Sequence, residues 1–185
     1  HHNGPRREGK LVEVNCPALP ESLAESELFG HEKGAFTDAK KSRMGLFEAA
    51  KGGTLFLDEL TSLSLGLQAK ILKAIEERRI RRLGGNREIE VDVRIIAASN
   101  RDLSQSVAEG KFRDDLHYRL SLFHLNIPPL RDRGHDILEL AKHLLEQLCK
   151  RHQVELKPIS AAGEARLLGH NWQGNVRELN HELER

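Results

Sequence analysis

"GGTLFLDEL", Gly52 to Leu60, is the stretch on which the reading of the whole chain turns. A short apolar run, Thr54 to Leu57, leads straight into two adjacent acids, Asp58 and Glu59. A run this short and continuous predicts a strand buried on both faces, as in a parallel sheet. Asp58 and Glu59 then fall at the strand's C-terminal end, where open α/β sheets place their ligands. An Asp in that position holds Mg²⁺ through water, and a neighbouring Glu polarises an attacking water. A strand that merely ends in two solvated acids fits the stretch equally well when it is taken alone.

The surrounding sequence supports the sheet. "LVEVN" (11–15) and "VRIIAAS" (93–99) read as further strands, and "IIAA" is again continuous rather than alternating. Helical patterns lie between them: "LPESLAESELFG", "MGLFEAA" and "LGLQAKILKAIEERR". In the last of these, Leu67, Ile71, Ala74 and Ile75 share one face. "DLSQSVAEG" carries Asp102 as an N-cap, Gln105 three residues on, and Gly110 as a stop. Strands alternating with helices predict an α/β fold with a parallel sheet. After "IPPLRDR" the pattern becomes helical throughout. Ile137, Leu138, Ala141, Leu144, Leu145 and Leu148 form one stripe, and Asn175 to Glu178 reads as the capping box of the last helix. The expected division is an α/β part over residues 1–129 and a helical part over 130–185.

Composition narrows the class. Twenty-nine basic residues face 28 acidic ones, so no global field points to nucleic acid. Cys16 and Cys149 are too few for a disulfide framework and read as buried small apolar groups in a reducing cytosol. No run of 18 apolar residues and no leader stand in the sequence, which argues against membrane and secretion and for a cytoplasmic protein. The ten histidines make no HExxH or zinc-type spacing, and no G-x-S-x-G is present.

Other stretches offer chemistry with a plain alternative beside it. "VRIIAASNRDL" ends a strand in Ser99 and Asn100; the amide orients a water or senses a phosphate, or serves only the turn. "FRDDLHYRL" offers Arg113 and Arg119 to a phosphate, or holds an Asp115–Arg119 pair on a surface helix. "RRIRRLGG" (78–85) follows Glu76 and Glu77 and has no interleaved aromatic, so it reads as a solvated hairpin flank rather than a nucleic-acid patch. "ELFGHEKGAFTDAKKSRMG" (27–45) is a long glycine-bearing loop with Phe36 near its middle. That ring either folds back on the core or meets a partner.

Together, "VNCPALPESLAESELFGHEKGAFTDA", "GLFEAAKGGTLFLDEL", "FRDDLHYRL", "IPPLRDR" and "NWQGNVREL" resemble the AAA+ ATPase domain of sigma-54-dependent transcriptional activators, the bacterial enhancer-binding proteins. The resemblance runs in register from about Leu11 to the end. It implies an AAA+ αβα sandwich followed by a small all-α lid, with ATP and Mg²⁺ as cofactors. Asp58 then matches the Mg²⁺-side acid of Walker B and Glu59 the residue that activates water. Asn15 matches the asparagine that holds this Glu in an alternative state, and Asn100 resembles sensor I. Arg113 and Arg119 resemble arginine fingers that reach a neighbouring subunit's ATP. Val176 and Arg177 resemble the nucleotide-side residues of sensor II. Gly34, Phe36, Thr37 and Asp38 lie in the loop that resembles GAFTGA, which contacts sigma-54, and 83–90 resembles the second pore loop. The implied partners are sigma-54 RNA polymerase holoenzyme and other copies in a hexameric or heptameric ring, with DNA reached only through a separate domain and no membrane.

The chain departs from this family's pattern in three places. Asp38 stands where the loop motif has its second glycine, and Gln173 where the lid motif has proline. "GPRREGKL" (4–11) imitates a P-loop, yet no buried strand leads into it and Leu11 replaces the hydroxyl residue. Walker A is expected upstream of His1, so the 185 residues alone are expected to be inactive. Two rival readings stay open: an AAA+ relative acting on another protein or nucleic acid, and a truncated assembly module that does not hydrolyse ATP.

Overall fold

The apolar runs become strands and the periodic stretches become helices in the computed structural model, which describes residues 1–185. In chain order the first unit, His1–His124, contains β1 (Leu11–Asn15), α1 (Glu21–Phe29), β2 (Gly30–His31), β3 (Arg43–Met44), α2 (Leu46–Ala49), β4 (Thr54–Asp58) and α3 (Leu65–Glu77). It continues with β5 (Arg79–Arg81), β6 (Glu88–Glu90), β7 (Arg94–Ala97), α4 (Leu103–Ala108) and α5 (Asp114–Leu120). The second unit, Leu125–Arg185, contains α6 (Asp136–His152), α7 (Ala161–Gly169) and α8 (Asn175–Glu184). None of these helices is long and apolar enough to cross a membrane.

β4 is the middle strand of a three-stranded parallel sheet, with β1 on one side and β7 on the other. Thr54, Leu55 and Leu57 are buried and Phe56 is half-buried, as a strand covered on both faces requires. The same expectation fails for β7. Ile95 and Ile96 are only half-buried and Ala97 is exposed, because β7 is an edge strand paired with β4 alone. The core joins these strands to Ala24, Leu28 and Phe29 of α1, Phe47 of α2 and the stripe of α3. Phe29 and Phe47 stack at 5.2 Å, which fastens α1 to α2.

α3 starts at the cap Ser64 and buries Leu67, Ile71 and Ala74, with Ile75 half-buried. Gln68 sits among them with no exposed surface. It is satisfied by donating to the carbonyls of Leu63 (2.8 Å) and Lys111 (3.1 Å) and accepting from the amide of Arg113 (2.9 Å). A buried amide side chain thereby ties α3 to the start of α5.

Several local expectations change in detail. Asp102 caps α4 by accepting from the amides of Ser104 and Gln105, but the Gln105 side chain bonds Glu109 instead of returning to the cap. β5 and β6 form the expected solvated hairpin, with Arg79 and Arg81 paired to Glu88 across the strands. Cys16 is buried, whereas Cys149 is only half-buried on α6.

The second unit builds its own core from Leu130, Ile137, Ala141, Trp172 and Leu179. Leu144 and Leu145 of the expected stripe are half-buried. The expected box at α8 is only half formed. Asn175 takes φ +53 and accepts from the Leu130 amide at 2.8 Å, while Glu178 receives the Gly174 amide at 2.8 Å. The Asn175 side chain therefore pins the entry of this unit rather than capping its own helix.

Gln68→Leu keeps the volume and leaves two carbonyls and one amide without partners. Each buried unsatisfied group costs about 1–3 kcal/mol, so the variant is expected to lose about 2–4 kcal/mol once partial solvation is allowed for. Denaturant unfolding should show a lower midpoint with the slope unchanged; a midpoint equal to the parent's would refute the role given to Gln68.

Candidate functional site

Parallel pairing sets Asn15 opposite Asp58, and Leu57 opposite Ala97, so the three strands end at one edge of the sheet. Beyond that edge the chain turns sharply. Glu59 adopts a left-handed conformation (φ 54°, ψ 48°), costly for a residue with a Cβ and typical of a functional turn. The turn is braced on both sides: the amide of Leu60 donates to Ala98, and that of Ala98 to Leu57. Asp58 and Glu59 are half-buried, and Asn15 and Asn100 are exposed beside them.

One polar side chain reaches Glu59. Asn100 Nδ2 donates to Glu59 Oε1 at 3.2 Å, so the end of β7 holds the acid that follows β4. Asn15, the residue matched to that holding role by resemblance, makes no hydrogen bond to Glu59 here. Next to it, Cys16 is no nucleophile: burial, with the Asp58 carboxylate adding to it, pushes its thiol up to about 11. No three His, Cys, Asp or Glu side chains cluster closely enough to form a metal cage. One carboxylate at a strand end fits Mg²⁺ of the kind that arrives with phosphates and keeps its waters.

α5 brings the two arginines. Arg113 is its N-cap, extended at φ −77°, ψ 132°, and its amide is the one fastened to Gln68. From there its guanidinium reaches forward to Asp115 in a two-point pair, 3.0 and 2.7 Å. This replaces the expected Asp115–Arg119 pair, because Asp115 is engaged by Arg113 and by the Leu116 amide. The guanidinium holds the Asp115 carboxyl below the usual carboxylate range, and the carboxylate raises Arg113 in return. Arg119 lies exposed in the last turn of α5.

The long loop has a tied base and an open tip. β2 pairs with β3, and the backbone of 30–32 also meets the hairpin: Leu83 donates to Gly30 and Glu32 to Leu83, both at 2.9 Å. Arg82 grips both flanks of the loop, reaching Glu48 at 2.8 Å twice and Glu32 at 3.1 Å. These carboxylates raise the Arg82 guanidinium further, and Glu48 is nearly covered. Gly84 has to be glycine, since a Cβ there would stand 2.8 Å from that of Ala35. Sequence reasoning missed Arg82 and Gln68. The available signals were a lone polar residue on an apolar helical face and an arginine just past the hairpin strand.

At the tip, Gly34 takes φ +83° with open space around it, while Thr37 and Asp38 are exposed. Asp38 is not among the positive-φ residues, so its side chain imposes no left-handed cost there. In the second unit, Val176 packs against the local core and Arg177 points along the exposed side of α8. The Trp172 indole donates to Leu167 at 2.8 Å and holds the turn that precedes them.

The comparisons agree with this architecture. Residues 1–126 match the Sigma-54 interaction domain, and residues 131–185 match the AAA+ ATPase lid domain. The regulatory protein AtoC of Escherichia coli is 52% identical over the whole chain, and the transcriptional regulatory protein FlbD of Caulobacter vibrioides 50%. The chain spans about 40% of the length of these relatives: 40% of AtoC and 41% of FlbD. The crystal structure of NtrX from Brucella abortus in complex with ADP superposes on all of this chain with a TM-score of 0.90 at 34% identity, over 40% of its own length. With a three-stranded parallel sheet ending in Asp58-Glu59, a loop tied to a hairpin, and a helical unit that follows in the chain, the chain belongs to the sigma-54 interaction family of AAA+ domains.

Proposed function

We propose that this chain is the ATP-hydrolysing core of a sigma-54-dependent transcriptional activator working in the cytoplasm. The observation that carries the reading is the strained Glu59, braced at the sheet edge and held by Asn100 beside Asp58. A carboxylate fixed in this way is a general base waiting for a water. Asp58, one residue earlier, offers an oxygen to water around Mg²⁺, which when bound neutralises charge on the phosphates. Asn100 orients Glu59 and gives up that bond when a γ-phosphate and its water compete for the amide.

Arg113 and Arg119 act on a nucleotide held by a neighbouring copy in a hexameric or heptameric ring. Arg113 first has to exchange Asp115 for a phosphate, which offers more charge to the same two-point fork. Val176 and Arg177 close the lid side of the nucleotide. Gly34, Phe36, Thr37 and Asp38 present the loop tip to sigma-54 in RNA polymerase holoenzyme, and DNA is bound by a separate domain. Hydrolysis and partner contact are then joined through the hairpin that Arg82 fastens to the loop.

Glu59→Gln in the full protein is expected to bind ATP normally and to hydrolyse it about 10²–10⁴-fold more slowly, the usual cost of losing a general base. Asp58→Asn should weaken Mg²⁺-dependent binding instead. Near-normal turnover by Glu59→Gln would end the assignment.

Arg119→Ala is expected to abolish turnover while ATP binding persists. Mixing Arg119→Ala subunits with Glu59→Gln subunits should restore part of the activity, since some interfaces then pair two intact halves. A finger worth about 10³–10⁵ in rate makes the rescue visible above background. Mixed rings as inactive as either parent would count against action in trans.

Phe36→Ala is expected to abolish binding of the ATP-loaded ring to purified sigma-54, with ATPase activity kept. Asp38→Gly should preserve or strengthen binding and reduce its salt dependence, because exposed charges are screened over about 8 Å at physiological ionic strength. Loss of binding in Asp38→Gly with retention in Phe36→Ala would favour a different target.

A further inference from the structure

Phe36 is exposed over 37% of its surface, so most of the ring is already in contact with its own chain. It meets the imidazole of His31, with ring centroids 5.0 Å apart and planes at 63°, an edge-to-face pair. His31 is a poor candidate for a casual contact. It is 8% exposed, and its Nδ1 lies 2.7 Å from Oγ of Ser26, which is itself buried on α1. Its backbone pairs with Arg43 and bridges to Leu83 of the hairpin. Ser26 thus orients the imidazole and the pairings with Arg43 and Leu83 fix its backbone, while the segment bearing Phe36 is held by short turn bonds: Ala35 to Glu32, Gly34 to Ala39, and Ala39 to Phe36. One partner of the pair is tied to buried elements and the other to its own turn alone.

We infer that His31, oriented by Ser26, is a positioning residue that seats Phe36 against the body of the unit, and that partner contact requires the ring to leave this seat. The inference rests on reading the Phe36 loop as the partner-contacting element. A ring pressed on His31 has part of its surface covered; a ring lifted from it offers that part as well. Lifting need not break the Arg82–Glu48 fork, since Glu48 stands on α2, beyond β3 from the tip. The seat adds a small, fixed opposition to engagement, so that the resting loop is withdrawn without being locked.

The test places 4-fluorophenylalanine at position 36 of the full protein and follows the fluorine resonance and its solvent-isotope shift. Beside this, sigma-54 affinity and ATP turnover are measured for the unlabelled variants. His31→Gln should move the resonance to the solvent-exposed position and tighten sigma-54 binding about two- to tenfold, the factor an edge-to-face aromatic pair supports. ATP turnover should be unchanged. Ser26→Ala, which keeps the imidazole but frees its orientation, should act in the same direction by less. His31→Phe should restore the seated resonance, an outcome that a purely structural His31–Ser26 pair would not give. An unchanged resonance in both His31→Gln and Ser26→Ala would overturn the seat. A lifted ring with weaker or equal sigma-54 binding would overturn its opposition to engagement. If Phe36→Ala binds sigma-54 as well as the parent, the partner reading fails and takes the second half of the inference with it, while the resonance still decides the seat.

Discussion

The pairing of β4 with β1 and β7 is the constraint from which the site follows. In a parallel sheet all three strands end on one side, so Asn15, Asp58 and the segment after Ala97 meet there without any further instruction. Hydrogen bonds across the strand ends, Leu60 to Ala98 and Ala98 to Leu57, then force the chain after Asp58 into the left-handed turn at Glu59. The strain at this one residue costs about 1–3 kcal/mol. Leu55 and Leu57 of β4 and Ile71 of α3, fully buried and each contributing about 1.5–3 kcal/mol on leaving water, offset it easily. A carboxylate in an unfavourable conformation is tolerated because the strand beneath it is held in register by the burial of Leu55 and Leu57.

Two polar side chains extend this order outward from the sheet. Gln68 transmits the position of α3 to the first residue of α5, and so to Arg113. Arg82 joins the hairpin to both flanks of the Phe36 loop. Their surroundings give them unequal weight beside the many exposed ion pairs. Pairs such as Arg79–Glu90 are open to water and contribute about 0–1 kcal/mol each. The Arg82–Glu48 fork is two-pointed and largely shielded, so removing either partner strands the other charge.

The sheet, the α3 stripe and the acids of "TLFLDEL" were readable because each is a matter of period and sequence neighbourhood. Leu67, Ile71 and Ala74 announce their burial to one another at helical spacing, and Asp58 announces its place by following an apolar run. Gln68 could not announce itself, since its partners Lys111 and Arg113 lie more than forty residues away and its burial is defined by them. The same holds for Arg82, one of several arginines until the hairpin turn aims it at Glu32 and Glu48. The Arg113–Asp115 pair was misjudged for a local reason. The four-residue helical rule points Asp115 to Arg119, but Arg113, just outside the helix on extended backbone, takes Asp115 from two residues before it. Likewise, β7 carries the same apolar signature as β4 and differs only in how many neighbours it has.

The loop carries the opposite balance to the sheet, and that balance suits an element that moves. Its base is fixed by ladder pairs, by the Arg82 fork and by the close approach of Gly84 to Ala35. Its tip buries little besides Ala39 and one side of Phe36, and short turn bonds hold it. Local opening free energy follows buried apolar contact, so the tip belongs to the least stable part of the unit while the base belongs to its body. A displacement that begins at Glu59 and reaches the hairpin would therefore be passed through these stiff connections as far as Ala35, and expressed as motion only beyond it. Glycine at 34, left-handed and with open space where a Cβ would stand, supplies the turn by which the chain leaves that base.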